Sequence, residues 1–146
     1  MPDASSAPTL ADALRGYVDA RNTAMMIARR TLNISETDAK ALMFVVDNPG
    51  TRATTLRDYL GITGAGATTL IDRLVSREVV RRDVDEADRR VNRLTATIDI
   101  AQEPWCALCQ FDEDFKRASS ESDISIADQF ATFLAELTAS VVGARR

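Results

Sequence analysis

Apolar residues in the first third of the chain recur at helical spacing. Leu10, Leu14, Tyr17, Val18, Met25 and Ala28 fall near a 3.6-residue period and predict a helix over 10–32. A second helix is predicted through Val46, with Ala39, Leu42, Met43 and Val46 as its apolar stripe. Ser35 or Thr37 can cap it, and Asn48-Pro49-Gly50 stops it. A short third helix, from about 54 to 60, is expected to bury Leu56, Tyr59 and Leu60. After the turn Gly61-Ile62-Thr63, Thr63 caps a fourth helix through about Arg77, whose Ala67, Leu70, Ile71 and Leu74 form one apolar side. Two helices joined by a tight glycine-containing turn make a helix-turn-helix.

The period then changes. Residues 79–84 and 90–95 are rich in β-branched side chains and flank the polar stretch 85–88, so they predict a β-hairpin, a wing after the helix-turn-helix. Beyond Thr97 a single helix is expected over about 100–118, or from Pro104 onward, carrying Trp105, Leu108, Cys109, Phe111 and Phe115. A loop over 119–123 separates it from a last amphipathic helix marked by Ile126, Phe130, Phe133, Leu134, Leu137 and Val141. The expected fold is mainly α with a small β-hairpin. Its parts are an N-terminal tail and dimerisation helix (1–34), a winged helix-turn-helix (35–97) and C-terminal dimerisation helices (98–146). The terminal helices carry more apolar surface than the winged helix needs and are natural subunit contacts.

Composition narrows the function. The chain of 146 residues contains no His and two Cys, with no zinc-ligand spacing, nucleophile elbow or phosphate-cradling loop, so an enzyme is disfavoured and neither cofactor nor metal is expected. The polar first ten residues lack a secretory pattern, and every long apolar run is interrupted by charge, which predicts a soluble, cytoplasmic protein with no membrane partner. The net charge of -4 argues against nucleic acid until its distribution is considered. From Thr51 to Leu94 there are nine Arg against seven acidic residues, whereas the rest of the chain is acidic on balance. Arginine is the side chain best suited to bidentate phosphate and guanine contacts.

The order of helices, turn and wing resembles the MarR family of bacterial transcription regulators. The resemblance spans about 35–97 and rests on Leu60-Gly61-Ile62-Thr63, Thr68-Thr69-Leu70-Ile71-Asp72-Arg73-Leu74, Val79-Val80-Arg81-Arg82 and Asp88-Arg89-Arg90, in that order. It implies a homodimer that places its fourth helices in successive major grooves of a pseudo-palindromic duplex and its wings in the minor grooves. It also implies a repressor released by a small, often aromatic, ligand. Gly64, Ala65, Thr68 and Thr69 then face the bases, and the glycines permit close backbone approach. Arg89, Arg90 and Arg93 are the first candidates for phosphate or minor-groove contact, followed by Arg52, Arg73 and Arg77, with Asp88 either bracing Arg90 or holding the hairpin.

Other features keep two readings. Glu78 stands where the family closes this helix with glycine, and either Leu94-Thr95 or Ala96-Thr97 can end the wing. Met25, Met26, Trp105 and Phe111 can line an effector pocket or simply pack the core. Cys106 and Cys109, three apart, can form a redox switch or act as small buried hydrophobes. The competing function is a winged-helix protein-interaction module without DNA binding, which the acidic pI of about 4.9 and the acidic wing tip favour.

Overall fold

The structure, a computed structural model, describes residues 8–84 and 92–144. Thr9 caps α1 (Leu10–Thr31) by accepting the Asp12 N–H, and Ser35 caps α2 (Glu36–Asp47) by accepting that of Asp38. A two-residue strand, β1 (Thr51–Arg52), leads directly into α3 (Ala53–Leu60). Gly61 ends α3 at φ 64°, a left-handed conformation that glycine adopts without a Cβ clash. Thr63 then caps α4 (Gly64–Ser76) through the Gly66 N–H. Strands β2 (Val80–Val84) and β3 (Asn92–Ala96) complete a winged helix-turn-helix.

The sheet has the order β1-β3-β2 and is antiparallel throughout. Strand β1 was not foreseen, because two residues carry no readable period. The wing register is settled by Arg82 facing Leu94 and Val80 facing Ala96. Leu94 is thereby turned into the core, at 1% exposure. It joins Leu42 and Val45 of α2, Leu56 of α3, and Leu70, Ile71 and Leu74 of α4, all essentially inaccessible to water. One stripe from each element thus closes a single core, to which Ala28 of α1 also contributes.

Three expectations are corrected. Tyr59 is exposed although it lies three positions on from Leu56 on the same face; its ring stacks on the half-buried Phe44, with centroids 4.2 Å apart, instead of entering the core. No single helix covers 100–118. A 3₁₀ turn (Trp105–Leu108) comes first and α5 (Gln110–Glu121) follows. The Asp99 carboxylate takes the Ala101 N–H and the Gln102 side-chain amide, local bonds that compete with helix at this point. The expected loop over 119–123 shrinks to two residues, since α5 continues to Glu121 and Asp123 caps α6 (Ile124–Gly143).

Contacts divide the chain into two compact units, 1–109 and 110–146. The first holds α1, the winged helix and the 3₁₀ turn, whose Leu108 is buried. The second is the α5–α6 hairpin. On α6, Ile126, Phe130, Phe133, Leu137 and Val141 lie along one side and are all exposed. Among the described residues no helix is long and apolar enough to cross a membrane.

Candidate nucleic-acid interface

Helix α4 buries Ala67, Leu70, Ile71 and Leu74 and turns Gly64, Ala65, Thr68 and Thr69 to solvent. The last four share a stripe at i, i+1, i+4 and i+5, so the exposed side of the first two turns is built from small side chains. The Thr68 hydroxyl donates to the Gly64 carbonyl at 3.0 Å and the Thr69 hydroxyl to that of Ala65 at 3.1 Å.

The arginines around this helix are mostly committed within the fold. Arg73 forms a two-pronged bridge to Asp38 of α2, at 2.6 and 3.2 Å, and half of its side chain remains exposed. That hydrogen bond and the Asp38 charge raise the Arg73 pKa above its already high ordinary value. Arg77 donates to the carbonyls of Leu32 and Asn33, satisfying acceptors left over where α1 ends. On the wing, Arg82 reaches back to Asp72 of α4, and Arg93 donates to the Gly50 carbonyl. Asp83 accepts from the Thr95 hydroxyl and from Arg81. The first of these, then the second, holds its carboxyl below the ordinary range against the opposing effect of burial. Arg52 is exposed and pairs with no acidic side chain among the described residues. Asp88, Arg89 and Arg90 lie outside the described residues.

Sequence reasoning missed Asp38, the one buried charged side chain among the described residues, at 5% exposure. The signal was present: 38, 42 and 45 share one helical face, so an acid at 38 sits in line with the core and requires a partner.

The model of the MarR family matches residues 32–91, from the end of α1 through α4 and into the wing. Over those residues the chain is similar to the MarR family. Solved MarR-family structures share the fold. A variant of S. aureus MepR bound to an oligodeoxyribonucleotide superposes with a TM-score of 0.61 at 18% identity, covering 92% of this chain and 99% of that one. S. aureus MepR bound to ethidium bromide gives a TM-score of 0.68 at 17% identity, covering 92% and 97%. MarR itself gives 0.59 at 16% identity, covering 99% and 97%. No curated protein matches the sequence.

The expected pocket residues divide between the two units. Met25 and Trp105 pack against the hydrophobic core, while Phe111 belongs to the second unit. Met26 lines an open groove of about 550 Å³ where α1 turns into α2, with Arg29, Arg30, Asn33, Ile34, Ser35 and Glu36. Glu36 is held below the ordinary carboxylate range by Lys40 first and Arg29 second. Cys106 lies in the 3₁₀ turn and Cys109 just past it; both are half-buried, and the Cys109 Sγ is 4.0 Å from Met43 Sδ.

Proposed function

We propose that this protein is a homodimeric DNA-binding transcription regulator, a repressor whose hold on DNA a small molecule releases. The observation that carries the reading is the exposed stripe Gly64-Ala65-Thr68-Thr69 on the second helix of a helix-turn-helix, a face free of bulk on a helix anchored by four buried side chains. An oligodeoxyribonucleotide is bound by MepR, which has the same fold, and this supports a duplex as ligand here. In this reading Arg52 and Arg93 are phosphate contacts, and Arg73 and Arg77 hold α4 in place and lend positive charge. Asp88, Arg89 and Arg90 enter from the sequence alone as the wing's contribution. The exposed apolar stripe of α6 supplies the subunit contact, so two copies of α4 face a pseudo-palindromic site about one helical turn apart. The groove beside Met26, Arg29 and Arg30 is the effector's place in this reading, its arginines suited to a ligand with a negative group.

A second reading is a winged-helix interaction module. It is favoured by the internal engagement of Arg73, Arg77, Arg81, Arg82 and Arg93, which leaves few cations for phosphate. Fluorescence anisotropy on the duplex flanking the protein's own gene, with an unrelated duplex as control, separates the two. A regulator binds selectively and loses affinity steeply between low and physiological salt, because each phosphate contact releases counterions. A folded dimer that binds neither duplex at low salt is an interaction module.

A further inference from the structure

Resting on the reading of α4 as the DNA-contacting helix, we infer that Thr68 and Thr69 make it a reader of thymine methyl groups, selecting A·T pairs and rejecting guanine at the positions they face. A threonine hydroxyl has one proton to give. In both residues it is given to the helix itself, Thr68 to Gly64 and Thr69 to Ala65. What remains on the outer surface is a methyl group and oxygen lone pairs, which accept hydrogen bonds and donate none. Guanine presents only acceptors, N7 and O6, along its major-groove edge, so two acceptors would face each other there. An A·T pair presents the thymine methyl and the adenine amino group, which suit a methyl and an acceptor.

The rest of the face agrees. Ala65 adds another methyl, and Gly64 adds no side chain at all. A Cβ at Gly64 would meet nothing within 4 Å, so packing does not require glycine there; its effect is to leave bare backbone that can sit deep in a groove. One turn further on, Asp72 is an acceptor held by Arg82, and the Arg73 guanidinium is turned to Asp38. Between Gly64 and Arg73, then, no long donor side chain competes for guanine among the described residues. The short side chains can reach bases only by close approach, and at that range the thymine methyl is the group they meet.

The test starts from a library of random duplexes, from which the full-length protein selects its own sites. A selected duplex is then remade with single thymines replaced by uracil, which removes the methyl and nothing else. Affinity is expected to fall about fourfold for each methyl in contact. Thr68→Ser and Thr69→Ser keep the helix-bonded hydroxyl and lose only the methyl, so each should abolish the uracil penalty at one position of the half-site. Selected sites with guanine at those positions, or uracil tolerated everywhere, would overturn the thymine reading while leaving the regulator intact. A folded protein that enriches no sequence would overturn both.

Discussion

Glu78 closes α4 at φ 58°, in the left-handed region where a Cβ is crowded by the carbonyl oxygen. It is kept there by its own N–H bonding to Val75, by the Val79 N–H bonding to Leu74, and by the Thr97 hydroxyl donating to its carbonyl. Val79 and Val80, both 2% exposed, follow at once, so the chain must turn sharply to bury them. Glu78→Gly should therefore raise stability by roughly 0.5–1 kcal/mol, the relief of backbone strain less the extra freedom glycine brings to the unfolded chain. A higher urea midpoint at unchanged m-value checks this. A lower one would mean that the Glu78 side chain contributes something the strain does not outweigh. Asp38 makes a different case, because its cost is electrostatic. Arg73→Ala leaves a carboxylate buried without its partner and should destabilise by about 1–3 kcal/mol, whereas the double variant with Asp38→Asn recovers part of that loss. Urea unfolding of the single and double variants gives the coupling directly, and strict additivity would show that the bridge carries no stability of its own.

At the level of elements, α4 is held from two sides. Asp38 of α2 grips its last turn through Arg73, and Arg77 at its end ties it to the Leu32 and Asn33 carbonyls just past α1. The wing adds a third tie through Arg82 and Asp72. In the proposed regulator, small side chains on the outer face can read bases only if the helix is rigidly placed, so these bridges would serve recognition by fixing α4. The hairpin carries its own pH dependence. The Thr95 hydroxyl, and after it Arg81, stabilise the ionised form of Asp83, so its folded pKa lies below the unfolded one. The stability it contributes is thus present in full above the unfolded value of about 4 and is lost as pH falls through the lower folded value. Wild type should exceed Asp83→Asn in stability at pH 7, and the gap should close in acid below about pH 4. A gap unchanged down to pH 2 would show that the carboxylate's charge is not what braces the strands.

For the whole molecule, the deciding feature is apolar surface that the single chain leaves in water. On α6, Phe130, Phe133 and Leu137 are 40–50% exposed and Ile126 and Val141 more so; Val18 and Ile27 of α1 are exposed as well. A contiguous apolar stripe of this kind marks a protein contact, and in the proposed regulator its partner is a second copy of the chain. Leu137→Glu places a charge in the middle of the stripe. The expected result is a monomer by sedimentation equilibrium, with the winged helix still folded by circular dichroism and duplex affinity reduced at least tenfold. A variant that remains a dimer would remove α6 from the interface.

Read from the sequence alone, residue spacing determined the helices, the turn and the hairpin. Their apolar stripes repeat at 3.6 or 2 residues over long enough runs, and Ser35, Gly61 and Thr63 punctuate them with local chemistry. It also brought Gly64, Ala65, Thr68 and Thr69 onto one face, since a helix that buries Ala67, Leu70, Ile71 and Leu74 has only one other side to offer. Tertiary structure decided what depends on residues far apart in the chain. Arg73 and Asp38 are 35 positions apart, and Arg77 and Leu32 are 45; no local pattern pairs them. The same holds for the two-residue β1, which exists only because β3 lies beside it, and for the break before α5, where side-chain bonds of Asp99 outweigh an apolar period that favours one long helix. Periodicity shows which side of an element is buried, whereas the choice of partner for a buried or half-buried charge is made only when the elements meet.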